Sequence, residues 1–183
     1  GMTDSNLTYT SAADLRADHS RLKLDKASGV GVIHYTAAEL AEKLGSYVQI
    51  DGFENGSNGT VVINVDCTGA TEINMPQARV VIDGVLQGTS EVVEFSAGKV
   101  IWNFVNAEGV LINTHLTTGM VVAPGATVNI KQNLNGTVVA DKVLVNAESH
   151  RTDFTGTVEE PDVEVEEQEY YVTVRKIETG YAG

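Results

Sequence analysis

From Thr60 onward, β-branched residues occur in pairs and triplets that are separated by Gly, Asn, Asp and Thr. Short apolar runs with frequent turn residues are typical of short β-strands. The runs are Val61-Val62-Ile63, Val80-Val81-Ile82, Val92-Val93, Val121-Val122 and Val138-Val139. No helical periodicity interrupts them between residues 60 and 157. The pattern therefore predicts a mainly β domain rather than a fold of alternating strands and helices.

One short α-helix is predicted near the N-terminus, at residues 37–45. Thr36 and Glu39 form a capping-box pattern, in which two side chains satisfy the free amide groups at the start of a helix. Leu40 and Leu44 then follow on one face of the predicted helix. The helix is therefore expected to pack its leucine face against the strands.

An internal repeat dominates the C-terminal half of the chain. The unit G-x-V-V-A-x4-V-N occupies residues 119–129 and recurs seventeen residues later at 136–146, with a looser copy at 103–113. Repeats at this spacing indicate stacked coils, in which equivalent side chains lie about 4.8 Å apart. We therefore predict a β-solenoid, or parallel β-helix, with about 16–17 residues in each coil. The alternative is a β-sandwich whose hairpins resemble one another.

The repeated positions have predicted structural roles. The apolar residues are expected to stack inward, and the Asn amides to form a hydrogen-bonded ladder at a corner. The glycines are expected at a positive φ or at a close approach of two backbones. These structural repeat residues are Gly119, Val121, Ala123, Val128, Asn129, Gly136, Val138, Ala140, Val145 and Asn146.

The sequence divides into four predicted segments. Residues 1–35 are polar and mixed in charge and are predicted to form an N-terminal arm, and residues 36–156 the β-solenoid domain with its short helix. Residues 157–169 carry seven acidic residues and a Pro, which predicts an extended linker because like charges repel. Residues 170–183 are predicted to be a terminal strand or the start of a further module.

Composition excludes several partners. The formal net charge is -13 and no Lys/Arg cluster occurs, so attraction to nucleic acid or to an anionic membrane surface is not expected. The apolar runs are far too short to span a bilayer. Cys67 is the only cysteine, which excludes an internal disulfide and a metal site built from several thiolates.

The C-terminal half also carries a family resemblance. Residues 119–156 include G-M-V-V-A-P-G-A-T-V-N-I, N-G-T-V-V-A-D-K-V and A-E-S-H-R-T-D-F-T-G, and residues 100–104 read V-I-W-N-F. Together these motifs resemble the choice-of-anchor A domain of bacterial surface proteins, over about residues 60–156. The resemblance implies a secreted, adhesin-like protein held at the cell surface by a cell-wall or membrane anchor. It also implies an extracellular ligand, either a host matrix protein or a glycan.

Candidate chemistry is sparse. Glu148 and His150 alternate along an extended segment near Asp153, so the three side chains could bind a divalent metal or carry acid–base chemistry. The structural alternative, which we favour, is that Glu148 and His150 pair with each other and close the last coil. No catalytic residues are predicted.

Calcium is the one cofactor that the sequence raises, because hard oxygen ligands recur at predicted coil corners. These corner residues are Asp66, Asp83, Asp141 and Glu148. No calcium-binding loop motif accompanies them, so solvated corners are the default interpretation.

Two further chemistries are argued against by the sequence. Cys67 could form a thioester with Gln77 or Gln87, but the motifs of such domains are missing and a buried thiol is expected. Threonines such as Thr127 and Thr137 suggest an ice-binding array, but the aligned coils place Leu144 and Met120 opposite them. The broken row argues against ice binding.

Two functional hypotheses follow. The favoured one is a non-catalytic surface module that serves adhesion or acts as a stalk. The alternative is a glycan-active or glycan-binding β-helix protein, which would need two carboxylates about 5–10 Å apart in an open groove if it were a hydrolase.

Overall fold

The computed structural model describes residues 6–87, 99–114, 117–132, 134–146, 170–173 and 177–178. Its elements are almost all β-strands, which confirms the predicted mainly β class. In chain order they are β1 (Leu7–Thr10), α1 (Ala12–Leu15), β2 (Ser20–Leu24), β3 (Val30–Thr36), α2 (Ala37–Leu44), β4 (Tyr47–Phe53), β5 (Thr60–Asp66), β6 (Ile73–Asn74), β7 (Gln77–Ile82), β8 (Val85–Leu86), β9 (Val100–Val105), β10 (Gly109–Ile112), β11 (Thr117–Thr118), β12 (Met120–Ile130), β13 (Leu134–Asn135), β14 (Thr137–Val145), β15 (Tyr170–Thr173) and β16 (Ile177–Glu178).

The predicted helix is present as α2, and its ends follow the sequence signals. The Thr36 hydroxyl oxygen accepts a hydrogen bond from the Glu39 backbone N–H at 3.1 Å, as the capping box requires. Leu40 and Leu44 are buried in the core. Gly45 ends the helix with a φ of 60°, so it is the cap rather than the last helical residue.

The strands form two large sheets and one small one. In the mixed sheet the order is β1-β2-β4-β7-β8, with parallel pairs in the centre and antiparallel pairs at both edges. In the long sheet the order is β16-β15-β14-β12-β9-β5-β3, and β6 and β10 continue it beside the second half of β12. The pair β11-β13 forms the small sheet. The many parallel neighbours make the arrangement β-helix-like, and differ from the hairpin pairs that the alternative sandwich would contain.

The length of each pass of the chain varies, and this corrects the prediction of uniform coils. Val121 pairs with Val138, which is the 17-residue spacing of the repeat. Val61 instead pairs with Val100, 39 residues later. In the N-terminal part, Val30 pairs with Thr60, because the connection between them contains α2 and β4. Insertions at the corners therefore stretch the coils that the repeat does not cover.

The residues predicted to form an N-terminal arm are instead part of the folded body. β2 pairs with β4 in parallel, and β3 pairs with β5 over its whole length. Leu22 and Leu24 are buried in the same hydrophobic cluster as the later strands. Leu7, Leu22 and Leu24 are inward positions of β1 and β2, which buries apolar surface that an arm would leave in water.

The core is filled by alternate residues of the stacked strands. In β5 the inward residues Val61, Ile63 and Val65 are fully buried, and the residues between them face outward. Trp102 and Phe104 on β9 are buried beside them with nearly parallel rings, at a centroid distance of 6.2 Å. Strict alternation therefore separates a packed interior from an outward surface that is free to carry function.

The second half of the repeat is out of register with the sequence alignment. Val121 and Ala123 face Val138 and Ala140, but Val128 then faces Val143 instead of Val145. The shift arises because the two strands differ in length between two paired positions. Three residues, Pro124-Gly125-Ala126, separate Ala123 from Thr127, whereas only Asp141 separates their partners on β14. Val145 pairs with the buried Ile130 but is itself 54% exposed, so it is not the inward position that the repeat predicted.

Thr117 holds the small sheet against the mixed sheet. Its hydroxyl oxygen accepts from the Ala78 backbone N–H at 2.8 Å, and the hydroxyl donates to the Pro76 carbonyl at 2.9 Å. The side chain is fully buried, so both backbone groups depend on it.

Thr117→Val is expected to lower the free energy of unfolding by about 2 kcal/mol, because it leaves a buried N–H and a buried C=O without partners. Thr127→Val, on the partly exposed β12, is the matched control and should change stability by less than about 0.5 kcal/mol. Chemical denaturation of both variants measures the difference. Equal midpoints would contradict the structural role of Thr117.

The C-terminal strands return to the long sheet. β15 pairs antiparallel with β14, and β16 pairs antiparallel with β15. These strands are the described part of residues 170–183, for which a terminal strand or the start of a further module was predicted. The predicted acidic linker at 157–169 lies outside the described residues.

Candidate functional site

The outward side of the long sheet forms the first candidate surface. We call it the parallel face and define it by the outward residues of β3, β5, β9 and the first halves of β12 and β14. Because parallel strands lie about 4.8 Å apart, residues that pair in register form straight rows across this face. The backbone hydrogen-bond ladder holds each row, so its side chains are positioned before any ligand arrives.

Apolar side chains occupy much of the parallel face. One row consists of Val32, Val62, Ile101 and Met120 on four successive strands. All four are partly exposed, since the opposite side of each strand supplies the core. At the margin of the face, Val30 is 53% exposed and Val105 is 42% exposed. These aligned aliphatic residues make an apolar strip, which is a candidate contact surface.

The neighbouring row has polar residues on β3, β5 and β9 and apolar residues on β12 and β14. It runs from His34 through Asn64 and Asn103 to Val122 and Val139. The Asn103 side-chain amide donates to the Asn64 side-chain oxygen at 2.9 Å, which fixes both amides. The parallel face therefore offers ordered amides and an imidazole beside its apolar strip.

A similar amide contact links the repeat residues. The Asn146 amide donates to the Asn129 side-chain oxygen at 3.0 Å, although the backbone pairs Asn129 with Leu144. The Asn146 backbone N–H also donates to the Ile130 carbonyl, at 2.9 Å.

The two repeat glycines lie at a close approach of the coils. Gly119 has a φ of 136°, and a Cβ added there would meet Trp102 Cδ1 at 2.5 Å. A Cβ added at Gly136 would overlap the carbonyl of Gly119. The Trp102 indole N–H donates to the Thr118 carbonyl at 3.0 Å, which fixes the ring beneath this corner. The glycines are therefore packing positions beside the parallel face.

The described carboxylates near this face are not paired. Asp66 ends β5 and Asp141 lies in the middle of β14, and two strands separate β5 from β14, which places the backbones of the two residues about 14 Å apart. The Asp66 carboxylate accepts hydrogen bonds from the Thr68 hydroxyl at 2.7 Å and from its backbone N–H at 3.0 Å. These bonds lower the pKa of Asp66, so the group stays ionised at neutral pH.

The predicted metal candidates divide between the described and undescribed parts of the chain. Glu148, His150 and Asp153 lie outside the described residues. Asp83 accepts from the Asn55 side-chain amide at 2.7 Å, so its carboxylate braces a turn. Within the described segments, no group of three or more His, Cys, Asp or Glu side chains is close enough to hold a metal ion.

Cys67 is buried among the strands. Its thiol contacts the Val65 carbonyl at 3.5 Å, and it has no exposed surface. Burial, with a further contribution from the charge of Asp66, raises the pKa of the thiol to about 11. The thiolate needed for nucleophilic chemistry is therefore scarce at neutral pH.

The outward side of the mixed sheet is a second, polar surface that sequence reasoning did not identify. We call it the mixed face and define it by the outward residues of β1, β2, β4 and β7. Its central row is Thr10, Arg21, Gln49 and Arg79. Arg21, Gln49 and Arg79 are 28 and 30 residues apart along the chain. The sequence carries a signal for this row, because R-L-K-L, Q-I-D and R-V-V can be aligned as three alternating strands that each begin with one of these residues. The row was not predicted, because residues 1–35, which include Arg21, were assigned to an arm outside the domain.

Comparison with known proteins identifies a family. Residues 3–151 match the model of a family described as "Putative Ice-binding-like adhesive domain". No curated protein and no solved structure gave a match. Among the described residues, no helix is long and apolar enough to cross a membrane. The matched segment covers most of the sequence and includes both outward faces, and the chain belongs to this family of ice-binding-like adhesive domains.

Proposed function

We propose that this chain is a non-catalytic, adhesin-type module that binds an extracellular ligand through the parallel face. The adhesive family supports the adhesin-type role and an extracellular or cell-surface setting. The observation that carries the proposal is the apolar row Val32, Val62, Ile101 and Met120, held in register by four parallel strands. Such a preorganised strip can be buried by a partner with little loss of conformational entropy.

The arrangement of acidic groups supports a binding role over glycan hydrolysis. Glycosidases place two carboxyl groups between about 5 and 9.5 Å apart across the scissile bond. The backbones of Asp66 and Asp141 lie about 14 Å apart, and both hydrogen-bond donors to the Asp66 carboxylate belong to Thr68. The glycan-binding alternative keeps its support from the mixed face, since that surface carries cations, amides and an aromatic ring.

We further propose that the complete domain is a closed β-solenoid and that its kinship extends to choice-of-anchor A domains. The motifs at 119–156 support this kinship. The parallel register of β9, β12 and β14 supports the solenoid. On this proposal the protein is bacterial, is anchored at the cell surface and presents its parallel face to a matrix protein or a glycan.

The proposal is tested with Ile101→Lys, which places a charge in the middle of the apolar strip while leaving the core side of β9 unchanged. Wild-type protein is first applied to an array of matrix proteins and glycans to identify a binder. Ile101→Lys is then expected to weaken that binding about tenfold or more, since a charge would be buried at the contact.

Val145→Lys is the matched control, because Val145 is exposed on the second half of β14 and away from the strip. It should bind like the wild type. Thermal melts establish that both variants fold. Equal binding by Ile101→Lys and the wild type would remove the parallel face from the contact, and an array without any signal would contradict the adhesive role.

A further inference from the structure

We infer that the mixed face is a carboxylate-binding site for an acidic, uronate-type glycan, with Arg21 and Arg79 as its anion-binding groups. This inference rests on the proposed adhesive function and names a ligand class for a second surface. It differs from the parallel face in chemistry, because its central row is cationic and polar rather than apolar.

The geometry begins with register. Arg21 on β2 pairs with Gln49 on β4, and Gln49 pairs with Arg79 on β7. The residues before and after each of them point into the core, so all three side chains share the outward side. Two strand spacings separate the arginines, which places their backbones about 10 Å apart with one amide between them. Carboxylates on separate sugars of one chain could engage both guanidinium groups.

Arg79 is a cation without a matching anion in the described part of the chain. One terminal nitrogen donates to the Gln87 carbonyl at 2.6 Å, which holds the side chain against the sheet. Its Nε is buried and has no hydrogen-bond partner among the described residues. A guanidinium has five N–H donors, and within the described residues the bond to a neutral carbonyl does not compensate its charge. A ligand carboxylate would supply both hydrogen-bond acceptors and a negative charge.

Arg21 is only loosely paired. Its Nε lies 3.8 Å from the Asp51 carboxylate, which is beyond hydrogen-bond distance, and its side chain is 37% exposed. Lys23 is exposed on the same strand and contributes a third positive charge to the face. Asp51 is the one carboxylate in these paired outward positions of β2, β4 and β7. The face therefore carries positive charge in a protein whose net charge is -13.

The neutral groups beside the row suit a sugar. The Gln49 amide donates to the Tyr47 hydroxyl at 3.1 Å, which fixes an amide oxygen and a phenol next to the arginines. His19 contacts Tyr47 edge-on, with ring centroids 4.7 Å apart, and holds that ring in place. Gln77 pairs with Tyr47 on the neighbouring strand. Amides and phenols are donors and acceptors for hydroxyl groups, which a uronate sugar has and a simple acidic side chain lacks.

The net charge of -13 opposes the approach of any polyanion, so binding has to come from direct contacts with the local cations rather than from long-range attraction. Planar guanidinium groups bind carboxylates in a two-point geometry that lysine cannot reproduce. The two arginines, the fixed amide and the aromatic ring together favour an acidic glycan over an acidic peptide.

The test uses the whole chain and immobilised polygalacturonate, with dextran as the neutral glycan and poly-glutamate as the acidic peptide. The wild type should bind polygalacturonate and neither of the other polymers. Arg79→Gln and Arg21→Gln should each weaken binding about tenfold, as expected for loss of one charge-assisted contact on an exposed surface. Lys131→Gln is the control, because it removes the same charge from an exposed position at the end of β12.

Each other outcome overturns the inference. Wild-type binding of polygalacturonate by Arg21→Gln and Arg79→Gln would show that the arginines are not required. Binding of dextran would show recognition of a neutral sugar, and equal binding of poly-glutamate would show recognition of acidity alone. An equal loss with Lys131→Gln would reduce the effect to overall charge. The Ile101→Lys variant separates this inference from the proposed function. If binding on the array depends on Ile101 but the wild type does not bind polygalacturonate, the adhesive role is retained and the carboxylate site is ruled out. Circular dichroism confirms that every variant compared is folded.

Discussion

Val121→Asp is expected to leave the domain unfolded, or close to unfolded, at room temperature. Val121 is fully buried and lies between Trp102 on β9 and Val138 on β14. An Asp carboxylate there would be enclosed by apolar side chains, and burial of an unpaired charge costs about 4 kcal/mol or more. That cost is comparable with the whole stability of a typical domain, about 5–15 kcal/mol. A thermal melt should show a loss of cooperative unfolding or a Tm lower by about 10 °C or more.

Val122→Asp provides the control on the adjacent residue. Val122 points to the outward side of the same strand and is partly exposed. Its carboxylate would remain in water, and the expected cost is about 1 kcal/mol from the lower strand propensity of Asp. The two variants have the same amino-acid composition and differ only in which of two adjacent valines is replaced. Similar melts for both would refute the inward orientation of Val121.

Gly119→Ala and Gly136→Ala are expected to destabilise the domain by about 3 kcal/mol each, through two different contacts. At Gly119, the φ of 136° strains any residue with a Cβ, and the added methyl would press on the Trp102 ring. At Gly136, the methyl would meet the Gly119 carbonyl, so two coils would have to separate. Urea denaturation gives the free energy of unfolding for both variants.

Gly125→Ala is the comparison for these glycines. It lies in the same strand as part of the repeat, its φ is not positive, and the nearest atom to an added Cβ is the Ala107 carbonyl at 4.0 Å. Its stability should match the wild type within about 0.5 kcal/mol. If Gly119→Ala and Gly136→Ala behaved in the same way, the close approach of the coils at this corner would be contradicted.

Local structure was the most predictable part of the fold. Alternation in Val61 to Val65 identifies a strand, because its period of two reflects only the local backbone. The helix at α2 followed from Thr36 and Glu39, since a capping box is complete within four residues. The sequence also predicted that Gly119 lies at a positive φ or at a close approach of two backbones, because no other residue occupies a positive φ so readily.

Coil length and register were less predictable. The repeat suggested equal coils, yet the connection from Val61 to Val100 is more than twice as long as that from Val121 to Val138. The extra residues at Pro124-Gly125-Ala126 also shifted the pairing of Val128, which the sequence alignment could not show. The connection from Val30 to Thr60 holds α2 and β4, whose Leu40 and Ile50 are buried, so the extra residues form elements of their own that the repeat does not indicate.

The sequence by itself determined that the chain forms short alternating strands, one capped helix and a close glycine corner, because these features depend on neighbouring residues. Only the tertiary structure decided which outward residues stand side by side. Arg21, Gln49 and Arg79 are separated by 28 and 30 residues and meet only through the pairing of β2, β4 and β7. The apolar row that includes Ile101 is assembled in the same way. Surfaces built across strands depend on register, and register is set by the packing of the whole core.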